Sequence, residues 1–267
     1  MKILFLGYGS NSFSAIKTVS FILNYEHDYF LVDCGPSITN NLHKHIPNFS
    51  MISGVYISHS HFDHFLGLPY FIIGRHLDII TKKKKNPNYI PSKLHIYLPN
   101  GLEDIIKMLI FSCHGDIKNL SYPIIYHTIE EGAEFKHNDE LSIIPFEVEH
   151  TVKTYGCNFF YNGKKVVSYT SDTLYNKKIL SNLNGCDCLI LEGMVPNEEQ
   201  SFSNSAKHAT FNDVIDVVNT ISPLCSFVVH LQPRFLEKKA EIEEVFHKKC
   251  SCDTSFPKEG EWYELYI

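Results

Sequence analysis

The sequence has little that would place it in a membrane, in a secreted disulfide scaffold or on long nucleic acid. No run in its 267 residues is apolar enough to span a bilayer, which takes about 20 consecutive apolar residues. The opening Met1–Gly7 offers one positive charge and four apolar residues before a glycine, too short an apolar stretch for a secretory leader. No C-x-x-C pair occurs, and eight cysteines are too sparse for a disulfide framework in a chain of this length. Most of them lie in apolar, strand-like runs, as expected for free thiols in a cytoplasmic protein. Thirty acidic side chains against 24 basic ones give a formal charge of −6, which excludes a protein whose main role is to coat nucleic acid. At 44% hydrophobic and 20% charged, the composition is that of an ordinary globular protein with enough chain for a sizeable core. Histidine, at 15 residues, is the excess that asks for a metal or acid–base explanation.

Short β-rich runs alternate with helical ones. Residues 2–6, 18–23, 28–33 and 55–58 read as strands, with a helical stretch at 36–45. Helical spacing at 65–76 precedes a strand at 94–98 and a helix at 101–111. Strands are then expected at 124–128, 141–149, 156–161, 165–170, 187–192 and 226–230, with helices at 211–221 and 235–248 and an extended tail at 262–267. Two halves of strands followed by helix, with no linker between them, predict a single α/β domain over residues 1–267 with two facing sheets. The run Lys82-Lys83-Lys84-Lys85 reads as a solvated loop tip, with a phosphate-contacting or dimer-contacting loop as the sharper alternative.

The strand at 55–58 runs directly into His59-Ser60-His61-Phe62-Asp63-His64. In extended backbone His59, His61 and Asp63 share a face, and His64 is turned toward a neighbouring position as a helix begins. Four candidate ligands in six residues, three of them imidazoles, suit zinc, manganese or iron. His43-x-His45 lies on a helix, where the two side chains point apart. His95, His114, His127, His137 and His247 have no partners nearby in sequence and read as structural or exposed. Cys186-x-Cys188 places both thiols on one strand face. His247 with Cys250 and Cys252 is a candidate peripheral zinc site, weighed against solvent-facing thiols.

The H-x-H-x-D-H stretch at a strand end resembles the signature of the metallo-β-lactamase superfamily, and within it the ribonuclease Z-like phosphodiesterase branch. The strand and glycine turn Phe5-Leu6-Gly7-Tyr8-Gly9-Ser10, the element Val32-Asp33-Cys34-Gly35 and the segment Gly67-Leu68-Pro69 carry the same likeness. A dinucleotide-binding reading of Gly7-x-Gly9 fails because Ser12 stands where a third glycine is needed. The resemblance extends from Lys2 to about Arg234 and implies a four-layer αββα sandwich. It also implies a binuclear centre. His59, His61 and His150 would hold one divalent cation, and Asp63, His64 and His230 the other, with Asp172 between them. Each of His150, Asp172 and His230 follows a predicted strand. Two such cations, about 3.5–4 Å apart, would activate a hydroxide and clamp the oxygens of an ester. Zinc is the expected metal, manganese or iron being alternatives. Asp63 would also orient the nucleophile, giving it a catalytic role beside its metal role.

Lys207-His208-Ala209-Thr210 resembles the H-S-T motif of the same branch, which makes His208 the expected proton donor to the departing oxygen, with His208 and Thr210 as substrate contacts. The alternative is that Thr210 is only a helix N-cap and His208 is exposed. The tRNA 3′-processing members carry a long basic arm between the positions matching His150 and Asp172. Here only residues 151–171 lie between, enough for a hairpin turning at Asn162-Gly163. With the acidic balance, this favours a small or cyclic nucleotide phosphodiester over structured RNA. A tRNA-processing endoribonuclease and a lactone or thioester hydrolase are the rival readings. Phe62, Tyr155 and Tyr175 are candidates to stack a base, though packing is the commoner use. The branch also implies a homodimer.

Overall fold

The computed structural model describes residues 1–10 and 16–265; Ser12 and Ile267 lie outside these. Strands β1 (Lys2–Gly7), β2 (Ser20–Tyr25) and β3 (Asp28–Val32) form an antiparallel meander. Helix α1 (Ile38–His45) and strand β4 (Ile52–Tyr56) follow, then a single-turn helix α2 (Phe62–Phe65), the long α3 (Leu68–Lys85), β5 (Leu94–Leu98), α4 (Leu102–His114) and β6 (Ile124–Thr128). The second half contains β7 (Phe135–Lys136), β8 (Leu141–Val148), β9 (Thr154–Tyr161), β10 (Lys164–Tyr169), α5 (Lys177–Leu183), β11 (Cys188–Glu192), α6 (Gln200–Ala206), α7 (Phe211–Ile221), β12 (Cys225–Val229), α8 (Lys239–Lys249), β13 (Asp253–Ser255) and β14 (Trp262–Glu264).

These strands make two seven-stranded sheets, ordered β14-β1-β2-β3-β4-β5-β6 and β13-β12-β11-β10-β9-β8-β7. Each is antiparallel over one half and parallel over the other. The period-two alternation of β1 shows how the layers close. Ile3 and Phe5 enter the core between the sheets, while Leu4 and Leu6 join the outer core under α1, α3 and α4. The same division holds for Tyr56 against Val55, and for Tyr97 against Ile96. Complete burial of such side chains contributes roughly 1.5–3 kcal/mol each, so neither core tolerates a one-residue slip of register. The arrangement is the αββα sandwich that the resemblance implied.

The lysine run is corrected by the structure: it is the last turn of α3, not a loop tip. Lysine is a good helix former, and its charge suits the carbonyl-rich C-terminus. Lys82 donates to Ser50 Oγ at 2.6 Å and lies over the Tyr89 ring, and Lys83 reaches the Ser121 carbonyl. At 1.5 Å per residue it ends about 25 Å from the first turn of its helix. The hairpin at Asn162-Gly163 is present, both residues being left-handed with φ of 50° and 79°. Elements with weak patterns, such as α5 and α6 and the short β7 and β13, were not foreseen from the sequence. Among the described residues, no helix is long and apolar enough to cross a membrane.

Candidate metal centre

The chain beyond the ends of β4, β8, β10 and β12 delivers the candidate metal ligands to one edge of the sandwich. After β4 the chain stays extended only to His61, whose φ and ψ are −70° and 143°, and then turns into α2. Asp63 is therefore helical, which corrects the expectation that it shares a face with His59 and His61. Ligand atoms of His59, His61, His150 and Asp172 lie within 4.8 Å of one another, as do those of Asp63, His64 and His230. Asp172, three residues beyond Tyr169 at the end of the central strand β10, sits between the groups. Its Oδ2 is 3.1 Å from His230 Nε2, 3.3 Å from His64 Nε2, 3.7 Å from His59 Nε2 and 3.9 Å from His150 Nε2. Asp63 Oδ2 is 3.5 Å from His230 Nε2.

Acceptors behind the ring set the direction of several imidazoles. His64 Nδ1 donates to Asp33 Oδ2 at 2.8 Å, and His150 Nδ1 donates to the Lys207 carbonyl at 3.0 Å. Ser58 Oγ donates to Asp33 Oδ2 and lies 3.0 Å from His59 Nδ1. With Nδ1 engaged in this way, Nε2 of each ring is turned toward Asp172. The Nε2 atoms of His59, His64 and His230 are buried with no hydrogen bond reaching them. Buried polar atoms left this way are costly unless a cation completes them, and the nitrogen and carboxylate donors suit a borderline divalent ion. The residues therefore fit a metal. Burial would raise the Asp172 carboxyl, but His230 and His64 hold it well below the ordinary carboxylate range. Burial, then the neighbouring His64, pushes His59 well down, so it stays a neutral donor.

His208 lies against this cluster, its ring stacked on His230 at 4.9 Å and edge-on to His150. Its Nδ1 donates to Glu192 Oε2 at 3.0 Å. Burial opposes protonation, but the Glu192 carboxylate outweighs it and raises His208 from 6.5 to about 9. Glu192 is wholly buried and also receives the Thr173 backbone N–H, next to Asp172. Thr210 caps α7: its hydroxyl donates to Asp213 Oδ2 at 2.7 Å and accepts from Asp213 N. The hydroxyl is thus taken up by the capping box, and Thr210 fixes the chain beside His208 instead of facing the cleft. Four residues around the centre, Asp33, Ser171, Lys207 and His230, hold positive φ between 54° and 64°. Such left-handed backbone is sparse outside glycine and clusters where side-chain aim matters.

Sequence reasoning assigned no role to Glu192 or Tyr169, and saw Asp33 only as part of a motif. Both carboxylates had a signal: each is the single charge closing an apolar run, Phe30-Leu31-Val32-Asp33 and Leu189-Ile190-Leu191-Glu192. The isolation expected for His95, His127 and His137 is also corrected. The parallel β5 and β6 and the chain entering β8 bring them together, with His95 Nδ1 3.0 Å from His127 Nε2 and His137 bridging Ser53 and Tyr97. His247, Cys250 and Cys252 do not converge; His247 approaches Asp253 instead. Tyr155 and Tyr175 are packed, whereas Phe62 is 70% exposed beside the centre. A cleft of 740 Å³ lies between α4 and β6 and contains none of the site residues.

The fold agrees with comparisons to known proteins. The chain is 23% identical over 279 aligned positions to a ribonuclease Z of Bacteroides fragilis, covering 84% of this chain and 86% of that one. It is 21% identical to a ribonuclease Z of Halobacterium salinarum, covering 80% and 81%. The short form of human tRNase Z superposes with a TM-score of 0.78 at 18% identity, covering the whole of both chains, and unliganded yeast PDE1 with 0.69 at 14%, covering 100% and 99%. The family model described as anti-Pycsar protein Apyc1 matches residues 1–248. The chain accordingly belongs to the anti-Pycsar protein Apyc1 family, within the ribonuclease Z-like metallo-β-lactamase-fold hydrolases.

Proposed function

We propose that this hydrolase is a metal-dependent phosphodiesterase acting on a small or cyclic nucleotide phosphodiester. One cation would be held by His59, His61 and His150, the other by Asp63, His64 and His230, with Asp172 shared; zinc suits these donors, as do manganese and iron. When bound, the cations would supply Lewis-acid activation of water and neutralise phosphoryl charge. The observation that carries the phosphodiester reading is the buried Glu192–His208 pair aimed at the cluster. A histidine kept protonated at neutral pH can hand a proton to a departing alkoxide and attract the phosphoryl oxygens beforehand. Glu192 holds the proton-bearing Nδ1 in place, leaving Nε2 to face the leaving group. Asp63, part exposed at the cleft, would orient the attacking water. The short β9–β10 hairpin and the net charge of −6 support a compact substrate.

The ribonuclease Z relatives support the second reading, a tRNA-processing endonuclease, because their names assign them RNA. A homodimer belongs to the main proposal: Tyr70 and Leu77 lie along one side of α3, with Leu66 just before it, and Ile105, Met108 and Phe111 along α4, as exposed apolar side chains. A reduced, cytoplasmic setting suits its eight free thiols. The test is hydrolysis of bis-p-nitrophenyl phosphate, a cyclic-nucleotide panel and a precursor tRNA, with zinc, with manganese and with chelator. Metal-loaded protein that leaves every phosphodiester intact refutes the proposal. His208→Ala should remove most phosphodiesterase activity, whereas a lactone or thioester hydrolase would survive it.

A further inference from the structure

The thiols gathered at the opposite end of the second sheet from the metal centre have no part in that chemistry. Cys188 opens β11 and Cys225 opens β12, and the two are direct partners in the parallel register. Neighbouring strands run about 4.8 Å apart, inside the roughly 4.4–6.8 Å between Cα atoms that a disulfide spans. In-register residues of parallel strands also point to the same side of the sheet. The two thiols are close enough for each to shift the other's titration. Cys188 is fully buried, while Cys225 is half-buried next to the exposed Leu224.

We propose that Cys225 and Cys188 form a reversible oxidation site, in which a hydroperoxide oxidises Cys225 and Cys188 then closes a disulfide across the two strands. The thiolate sulfur of Cys225 attacks the peroxide O–O bond, an S–O bond forms, and the departing oxygen leaves as water or alcohol after taking a proton. The sulfur is oxidised by two electrons and the peroxide reduced. Cys188 then gives up its proton and attacks the sulfenic sulfur, so that the S–S bond forms, the S–O bond breaks and water leaves. A dithiol returns both groups to thiols. The order of attack follows from exposure: Cys225 is half-buried and open to a hydroperoxide, whereas Cys188 is fully buried; the interaction between the thiols also lowers Cys225 and raises Cys188. The ring closed by the link, residues 188–225, contains Glu192, His208 and Thr210, and its two strands lead to Glu192 and His230.

The test is peptide mapping by mass spectrometry of the metal-loaded protein after hydrogen peroxide and alkylation. A peptide pair joining Cys188 to Cys225, two hydrogens lighter and separated again by dithiothreitol, is expected. In Cys188→Ala the sulfenic acid should persist on Cys225 and be captured by dimedone. Cys225→Ser serves as the second variant and must abolish the link. Pairing of Cys225 with Cys186 or Cys252 overturns the proposal. So does recovery of both thiols unmodified while the exposed Cys113 is oxidised, or absence of the dimedone adduct in folded Cys188→Ala.

Discussion

Asp33→Asn is the substitution that loads most on one buried group. The carboxylate is fully buried and accepts four hydrogen bonds: Ser58 N on Oδ1 at 2.8 Å, and Ser58 Oγ, His64 Nδ1 and Tyr169 OH on Oδ2 at 2.9, 2.8 and 2.8 Å. An asparagine carbonyl turned toward the Oδ2 side has two lone pairs for three donors, and its amide then meets the Ser58 N–H head-on. At least two buried donors lose their acceptor, at about 1–3 kcal/mol each, so the loss is about 2–6 kcal/mol, a large share of a typical domain's stability. The same residue orients His64 directly and His59 through Ser58. Metal affinity should therefore fall about 10–100-fold, as for other groups behind metal ligands. Urea unfolding followed by circular dichroism measures the first effect, and zinc titration in competition with a chelator the second. An unchanged unfolding midpoint together with wild-type zinc affinity would refute the reasoning. Tyr169→Phe removes one of the donors and should cost only about 1 kcal/mol.

Glu192→Gln should lower kcat on a phosphodiester about 10–100-fold, the equivalent of one charge-assisted hydrogen bond, with metal content preserved; equal rates would remove Glu192 from the mechanism. Gly35→Ala would place a Cβ 2.0 Å from the Asp63 carbonyl oxygen and 2.1 Å from Thr18 Oγ1. It should displace the loop bearing Asp63 and reduce metal stoichiometry, read by elemental analysis of folded protein. Burial, with His95 and His127 alongside, lowers His137 from 6.5 to about 4. The unfolded chain takes up this proton first as pH falls, so stability is full above pH 6.5 and is lost toward pH 4, by about 2–3 kcal/mol for this group. His137→Gln should flatten that part of the profile of unfolding midpoint against pH, and an unaltered slope would show that His137 does not control it.

The six-residue motif was legible because its spacing is local: a strand followed at once by four ligand-type side chains leaves few arrangements. The likeness that followed it supplied His150, Asp172 and His230, each at a strand end. The backbone at Asp63 was misread because extended chain was assumed beyond His61, and only the packing of α2 against Cys34 and Gly35 shows the chain turning there. The lysine run was misread because charge suggests solvent, and solvent alone does not distinguish a loop from the exposed end of a helix.

By itself, the sequence determined the layered α/β architecture, through period-two and helical hydrophobic patterns, and the local cluster His59, His61, Asp63 and His64, through side-chain type and spacing. Tertiary structure alone decided what stands behind those donors. Asp33 and Glu192 serve residues 31 and 16 positions away, and His95, His127 and His137 meet only across neighbouring strands. Such pairings are set by sheet order and register, which follow from how two apolar faces close on each other and leave no local trace in the chain.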